Sequence, residues 1–227
     1  MLKKNGLFIT VWVVVLLIGL LMIILSPNGI WGSIGTSLIA AGIVAAAMLW
    51  HDYVKAPTDE LHQEINKSGL KGFYNRRNLD KYNELVTDCR EIDIAGYSLR
   101  SFHESNKKLL LDKIKNGRMD KIRIILTNPE SEFAKAQEET EGVAEGTFLK
   151  ALETLNSSFK GIGEIEIRIL NRPVSTMIYR LDDTLFYGPY LSAYSTSTVT
   201  YECQRNGWMF NVYQDEFDRM WEDAAEL

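Results

Sequence analysis

The sequence predicts an α/β fold carried on an N-terminal transmembrane helical hairpin. The sheet is expected to be mixed and largely parallel, with flanking helices. Three observations predict this. All 30 acidic residues and all but two of the 25 basic ones lie after position 50, so the first fifty residues are nearly free of charge. Two long apolar runs fill that uncharged end. Beyond about residue 72 the pattern switches to strands alternating with helices, which favours parallel strands joined by helical crossovers.

The first run, 7–25, is long enough as a helix, at ~1.5 Å per residue, to match the ~30 Å hydrocarbon core of a bilayer. Ser26-Pro27-Asn28-Gly29 is a turn signal. The second run is 30–50. Backbone in lipid must satisfy itself, so a pair of helices is the expected form of 1–50. Lys3, Lys4 and Lys55 flank the two runs and the turn carries no charge. The cation bias places both termini in the cytoplasm and the protein in the plasma (inner) membrane. A signal peptide is the rival reading of the basic start, but the second apolar run follows at once. Gly32, Gly35, Ala41, Gly42, Ala45 and Ala46 would allow close helix approach, within the hairpin or between chains. Residues 51–71 read as a polar linker or juxtamembrane helix, with Pro57 suited to a first helical turn.

Residues 72–227 are expected to form one cytoplasmic domain. A helix is predicted over 79–89 and a strand over 91–97. The next helix, 105–116, ends on the Asn116-Gly117 cap. A second strand covers 121–126. Asn128 and Pro129 look like the cap and first turn of a helical region running to about Phe159, broken near 142–146. Residues 164–170 alternate as a strand with one wet face. Residues 177–181 and 185–187 flank Asp182-Asp183-Thr184 as a hairpin. Residues 198–203 make a further strand, and 211–224 a closing helix with Tyr213, Phe217, Met220, Trp221 and Ala224 on one face.

Searches for chemistry return little. Cys89 and Cys203 are far apart, and His51, His62 and His103 have no metal-ligand spacing, so no metal and no cofactor is expected. The pair reads as reduced cysteines of a cytoplasmic domain. Ser98, His103 and Glu104 lie too close in sequence to converge as a triad. The net acidic domain argues against nucleic acid, and the basic pairs Arg76-Arg77 and Lys107-Lys108 read as solvated faces. A ligand site is expected beyond the carboxyl ends of the strands, built from Ser98, Arg100, His103, Asn128, Arg180, Tyr187 and Tyr190. Two arginines, hydroxyls and a helix start would suit a nucleotide or other small anion.

The stretch 92–100 (IDIAGYSLR), the 124–129 strand end (IILTNP) and the 179–183 hairpin (YRLDD) resemble the phospholipase D-like superfamily. The closer likeness is to its small bacterial branch, whose end looks like Phe217-Asp218-Arg219-Met220-Trp221. The resemblance spans about 72–225. It implies that fold and, for catalytic members, a His-x-Lys-x4-Asp motif. With Asp182 as the aspartate, Ser175 and Met177 hold the histidine and lysine positions; with Asp183, Thr176 and Ile178 do. Neither register supplies the nucleophile or the cation, so a non-catalytic domain is expected, with no catalytic residue to name. The layout also resembles bacterial anti-phage membrane effectors. Three functions compete: a ligand-sensing membrane effector acting as a homo-oligomer, a diverged phosphodiesterase or hydrolase at the membrane surface, and a simple membrane scaffold.

Overall fold

The computed structural model describes residues 2–25, 29–75, 79–191 and 199–227, with side chains described from residue 13 onward except over 52–58. The Ser26-Pro27-Asn28 turn, Arg76-Arg77 and the predicted strand start at Thr198 lie outside the described residues. The chain divides into two compact units, Met1–Gln63 and Glu64–Leu227.

The first unit holds α1, Leu2–Leu25, and most of α2, Ile30–Ser68. Among the described residues Ile30–His51 is the apolar run long enough to cross a bilayer, and Val13–Leu25 is a shorter apolar stretch. The small residues pack the two helices of one chain together: a Cβ on Gly35 would stand 2.6 Å from the Gly19 carbonyl oxygen. Gly32, Gly35 and Gly42 are buried, whereas Ala41 is exposed. The polar stretch after residue 50 does not begin a new helix at Pro57. It continues α2, because losing one intrahelical hydrogen bond to a proline does not end a helix by itself.

The second unit is one eight-stranded sheet of order β1-β7-β6-β5-β2-β3-β4-β8. Its strands are β1 (Leu70–Tyr74), β2 (Glu91–Gly96), β3 (Lys121–Thr127), β4 (Ile165–Leu170), β5 (Thr176–Leu181), β6 (Thr184–Pro189), β7 (Thr200–Gln204) and β8 (Ala225–Glu226). Only β2, β3 and β4 run parallel; the other pairings are antiparallel. The sheet is therefore mixed rather than largely parallel. The parallel part stops where helical crossovers stop, since the two-residue Asp182-Asp183 turn can join only antiparallel strands. The edge strands β1 and β8 were not anticipated from sequence. Leu70–Tyr74 is interrupted by Gly72, and Ala225–Glu226 is too short to show alternation.

The helices are α3 (Lys81–Asp88), α4 (Arg100–Lys115), α5 (Glu132–Glu141), α6 (Thr147–Phe159) and α7 (Trp208–Asp223). Helix α4 starts five residues earlier than expected, directly after Leu99, which turns the chain at φ 48°. Asn128 does not cap α5. Its Oδ1 accepts from Glu130 N in a local turn, and Ser131 is the cap, its Oγ accepting from Ala134 N at 3.2 Å. Gly142 and Gly146 at positive φ break the helical region as expected.

Strand alternation splits the core. Ile92, Ile94, Ile122, Ile124, Tyr179, Leu181 and Phe186 pack with residues of α3, α4 and α6 on one face. Ala95, Ile125, Ile178, Leu185, Tyr187 and Cys203 pack with Phe210, Phe217, Met220 and Trp221 of α7 on the other. On the first face a buried lysine completes the structure. Lys113 Nζ donates to the carbonyls of Val86 (2.6 Å), Thr87 (3.0 Å) and Cys89, satisfying the end of α3. Orphan helix-end carbonyls in a dry site need such a donor. Burial pushes the Cys89 thiol up to about 11 and the Cys203 thiol up to about 12, so both free cysteines are inert.

Candidate functional site

The carboxyl ends of β2, β3 and β4 gather three of the expected ligand residues. Gly96 pairs with Leu126, which puts Ser98 and Asn128 two residues beyond one register position. Tyr190 joins them from the end of β6, its ring edge-on to Tyr97 at 4.8 Å. Asn128 Nδ2 donates to Asn171 Oδ1 at 2.8 Å. Thr127 Oγ1 is buried there without a hydrogen-bond partner. Arg100 is exposed on the first turn of α4 and paired with Glu104 at 2.7 Å. His103 points elsewhere. The residue is 7% exposed and its ring meets Phe159 of α6 edge-on at 5.5 Å. Burial, then the charge of Lys107, holds its imidazole below the ordinary histidine value.

Arg180 and Tyr187 stand on the face covered by α7. Arg180 belongs to the end of β2 opposite Ser98. Its Nε donates to Asp93 Oδ2 at 2.6 Å and its Nη2 to Glu91 at 2.9 Å. Arg123 grips the same Asp93 with two hydrogen bonds of 2.7 Å and reaches Asp218 of α7 at 2.8 Å. Gln214 of α7 adds a bond to Asp93 at 3.2 Å. The Arg123 guanidinium also lies over the Phe217 ring, 4.9 Å from its centroid. Burial pushes the Asp93 carboxyl up, but hydrogen bonds from Arg123 and Arg180 and their charges outweigh it and hold the group below the usual carboxylate value. Tyr187 is stacked between Tyr201 and Tyr213, at 5.0 and 3.7 Å. The arginine pair expected to greet an anion is thus not assembled: each arginine already faces a carboxylate, at opposite ends of β2.

A second polar cluster, on the α3 face, escaped sequence reading. Glu202 of β7 is 3% exposed. Its Oε2 accepts from the Tyr74 hydroxyl of β1 and its Oε1 from Lys81 Nζ of α3, both at 2.6 Å. The hydrogen bond from Tyr74 to Glu202, then burial, raises that phenol above its ordinary value. Tyr82 Oη and Thr200 Oγ1 are buried beside it; they feel each other without reaching hydrogen-bond geometry. The one signal that could have found this cluster is Glu202 itself, an acid two residues after Thr200 in an otherwise strand-like run.

Asp182 and Asp183 are structural. Asp182, at φ 49°, accepts from the backbone N–H of Arg90 and Glu91 at 2.8 to 3.1 Å, tying the hairpin turn to the start of β2. Asp183 pairs with Arg205 at 2.9 Å. Ser175 is exposed and Met177 half-buried. Among the described residues no group of three His, Cys, Asp or Glu side chains is placed to hold a metal ion.

No family model matches the chain, and no curated protein matches it in sequence. Several solved structures are similar to it. TrmBL2, an archaeal chromatin protein, is 12% identical with a TM-score of 0.49, over 85% of this chain and 70% of that one. NucT from Helicobacter pylori is 11% identical with a TM-score of 0.40, over 65% and 89%. The similar structures also include a phospholipase D family member, Nuc from Salmonella typhimurium, 13% identical with a TM-score of 0.43 over 64% of this chain and 87% of that one.

Proposed function

We propose that the chain is a membrane-anchored, non-catalytic phospholipase D-like domain. It binds a small ligand or a partner on the cytoplasmic side and acts through its N-terminal hairpin, as a homo-oligomer. The observation that carries this reading is the position of His103. It is the one histidine of the unit Glu64–Leu227, and it is packed against Phe159. Of the two candidates for the aspartate of the resemblance, Asp182 is engaged at the start of β2 and Asp183 pairs with Arg205. A nucleophile attacking phosphorus needs an accessible imidazole with a cation beside it. The apolar run Ile30–His51 and the flanking lysines support the anchor and its orientation. At the carboxyl edge Ser98, Asn128 and Tyr190 would read a ligand by neutral hydrogen bonds. A bacterial defence effector is one role that this layout fits.

The test is turnover. The full chain in liposomes is incubated with phosphodiester and phospholipid substrates, with and without divalent metal. No hydrolysis is expected. Hydrolysis lost on His103→Gln, with the thermal midpoint retained, would overthrow the non-catalytic reading. A second reading has one observation in its favour: a buried carboxylate beside a lysine and two tyrosines is a residue set suited to acid–base catalysis. Turnover abolished by Glu202→Gln alone would select that hydrolase.

A further inference from the structure

We propose that Glu202 marks a binding site for an organic cation with a primary ammonium group, and that Lys81 is its built-in occupant. The site is distinct from the carboxyl edge and does not rest on the function proposed above.

A carboxylate this deeply buried must be neutralised or strongly hydrogen-bonded, because water cannot reach it. Among the described residues Glu202 has one positive partner, Lys81. Everything about Lys81 makes that partner exchangeable. Its side chain is 43% exposed, against 4% for that of Glu202. It springs from the first residue of the eight-residue helix α3. An ammonium on a four-carbon stem is a mobile point charge. The surroundings hold hydrogen-bonding capacity that Lys81 leaves unused. Thr200 is fully buried and its Oγ1 has no hydrogen-bond partner, and the Tyr82 hydroxyl beside it is in the same condition. Tyr74 pairs with Thr200 in register and leans over Gly72, where a Cβ would stand 3.1 Å from its hydroxyl. Gly72 pairs with Glu202, so the β1 residue opposite it adds no side chain.

The chemistry selects the guest. An anion would meet Glu202. A guanidinium would seek both carboxylate oxygens, but Tyr74 already holds Oε2, leaving Oε1 alone. A metal ion would want more than one acid. A compact ammonium fits, and its neighbouring atoms can carry groups that bond to Thr200 and Tyr82. Binding displaces Lys81 into solvent and frees the first turn of α3.

The experiment measures the thermal midpoint of the full chain in detergent micelles by tryptophan fluorescence. Ethylamine hydrochloride is titrated at neutral pH against sodium chloride and tetramethylammonium chloride at equal ionic strength. Lys81→Ala is expected to lower the midpoint by several degrees. Ethylamine, and neither control, is expected to restore it saturably. The double variant Lys81→Ala, Glu202→Gln is expected to gain nothing. Equal shifts in single and double variants, or no shift in either, overturn the proposal. If Lys81→Ala does not fold, the wild-type chain decides: a saturable gain specific to ethylamine supports the site, and a flat titration overturns it.

Discussion

Two polar clusters sit on opposite faces of one sheet, and they are built differently. Under α7, Asp93 is 1% exposed and receives hydrogen bonds from Arg123, Arg180 and Gln214. Its arginines are pre-formed forks, and their remaining donors go to Glu91, Asp218 and the Asp182 carbonyl. Every charged group of this cluster is paired, and Gln214 Oε1 is left buried without a hydrogen-bond partner; paired charges on this scale fix structure. Beside α3, Glu202 is as deeply buried, yet among the described residues its one cation is a half-exposed lysine, and the neighbouring Tyr82 and Thr200 hydroxyls fall short of hydrogen-bond geometry. What differs is the cation: two forked guanidiniums hold one carboxylate, and a half-exposed ammonium holds the other. The difference separates a brace from a candidate site without appeal to motif.

The comparison can be broken or sharpened by measurement. The largest effect is expected for Asp93→Ala, which takes the shared carboxylate from buried Arg180 and half-buried Arg123 and should cost about 3 kcal/mol in denaturant unfolding of the full chain. A loss near zero would mean that α7 is held by its apolar face alone. The pH dependence has a definite sign. The Asp93 carboxyl is held below its ordinary value near 4, so its stabilisation is present above that value and is lost as pH falls below it. Asp93→Asn should flatten this acid limb. Next comes Lys113→Met, which leaves three carbonyls without their donor and should cost about 2 kcal/mol by the same assay.

Glu202→Gln should be milder, about 1 kcal/mol, since glutamine can still accept from Tyr74 and the lysine is free to turn to water. The substitution should also bring the Tyr74 phenol down toward its ordinary value near 10. In the wild-type chain the raised phenol stabilises below that value, and the contribution disappears as pH rises through its folded pKa. Ultraviolet difference titration of Glu202→Gln against wild type would detect the change as tyrosinate appearing earlier. The smallest effect is expected for Arg100→Ala: its ion pair with Glu104 lies in solvent, and the thermal midpoint should not move measurably. A clear drop would show that Arg100 does more than decorate α4.

Much of the fold was legible in particular runs. Ile92-Asp93-Ile94-Ala95 alternates, and its isoleucines and its Asp93-Ala95 pair do face opposite sides of the sheet. Phe217, Met220, Trp221 and Ala224 form the buried stripe of the last helix as their spacing predicts. Local signals misplaced two starts. Asn128-Pro129 looks like a cap, but the chain completes a turn before Ser131 takes that role. Arg100 to Glu104 looks like loop, but Leu99 in the left-handed region lets α4 begin at once. The candidate site was the least legible part. Tyr74 and Lys81 are 128 and 121 residues from Glu202, while Arg180 and Asp93, expected to have different roles, are 87 apart and adjacent in register.

The sequence by itself determined the uncharged N-terminal end and the strand and helix periods of the domain, because each is a property of neighbouring residues. Tertiary structure alone decided that Arg180 braces Asp93, that His103 lies against Phe159, and that Glu202 meets Lys81 and Tyr74. Those meetings depend on sheet order and register across β1, β7, β5 and β2, and register brings together side chains that no local pattern connects.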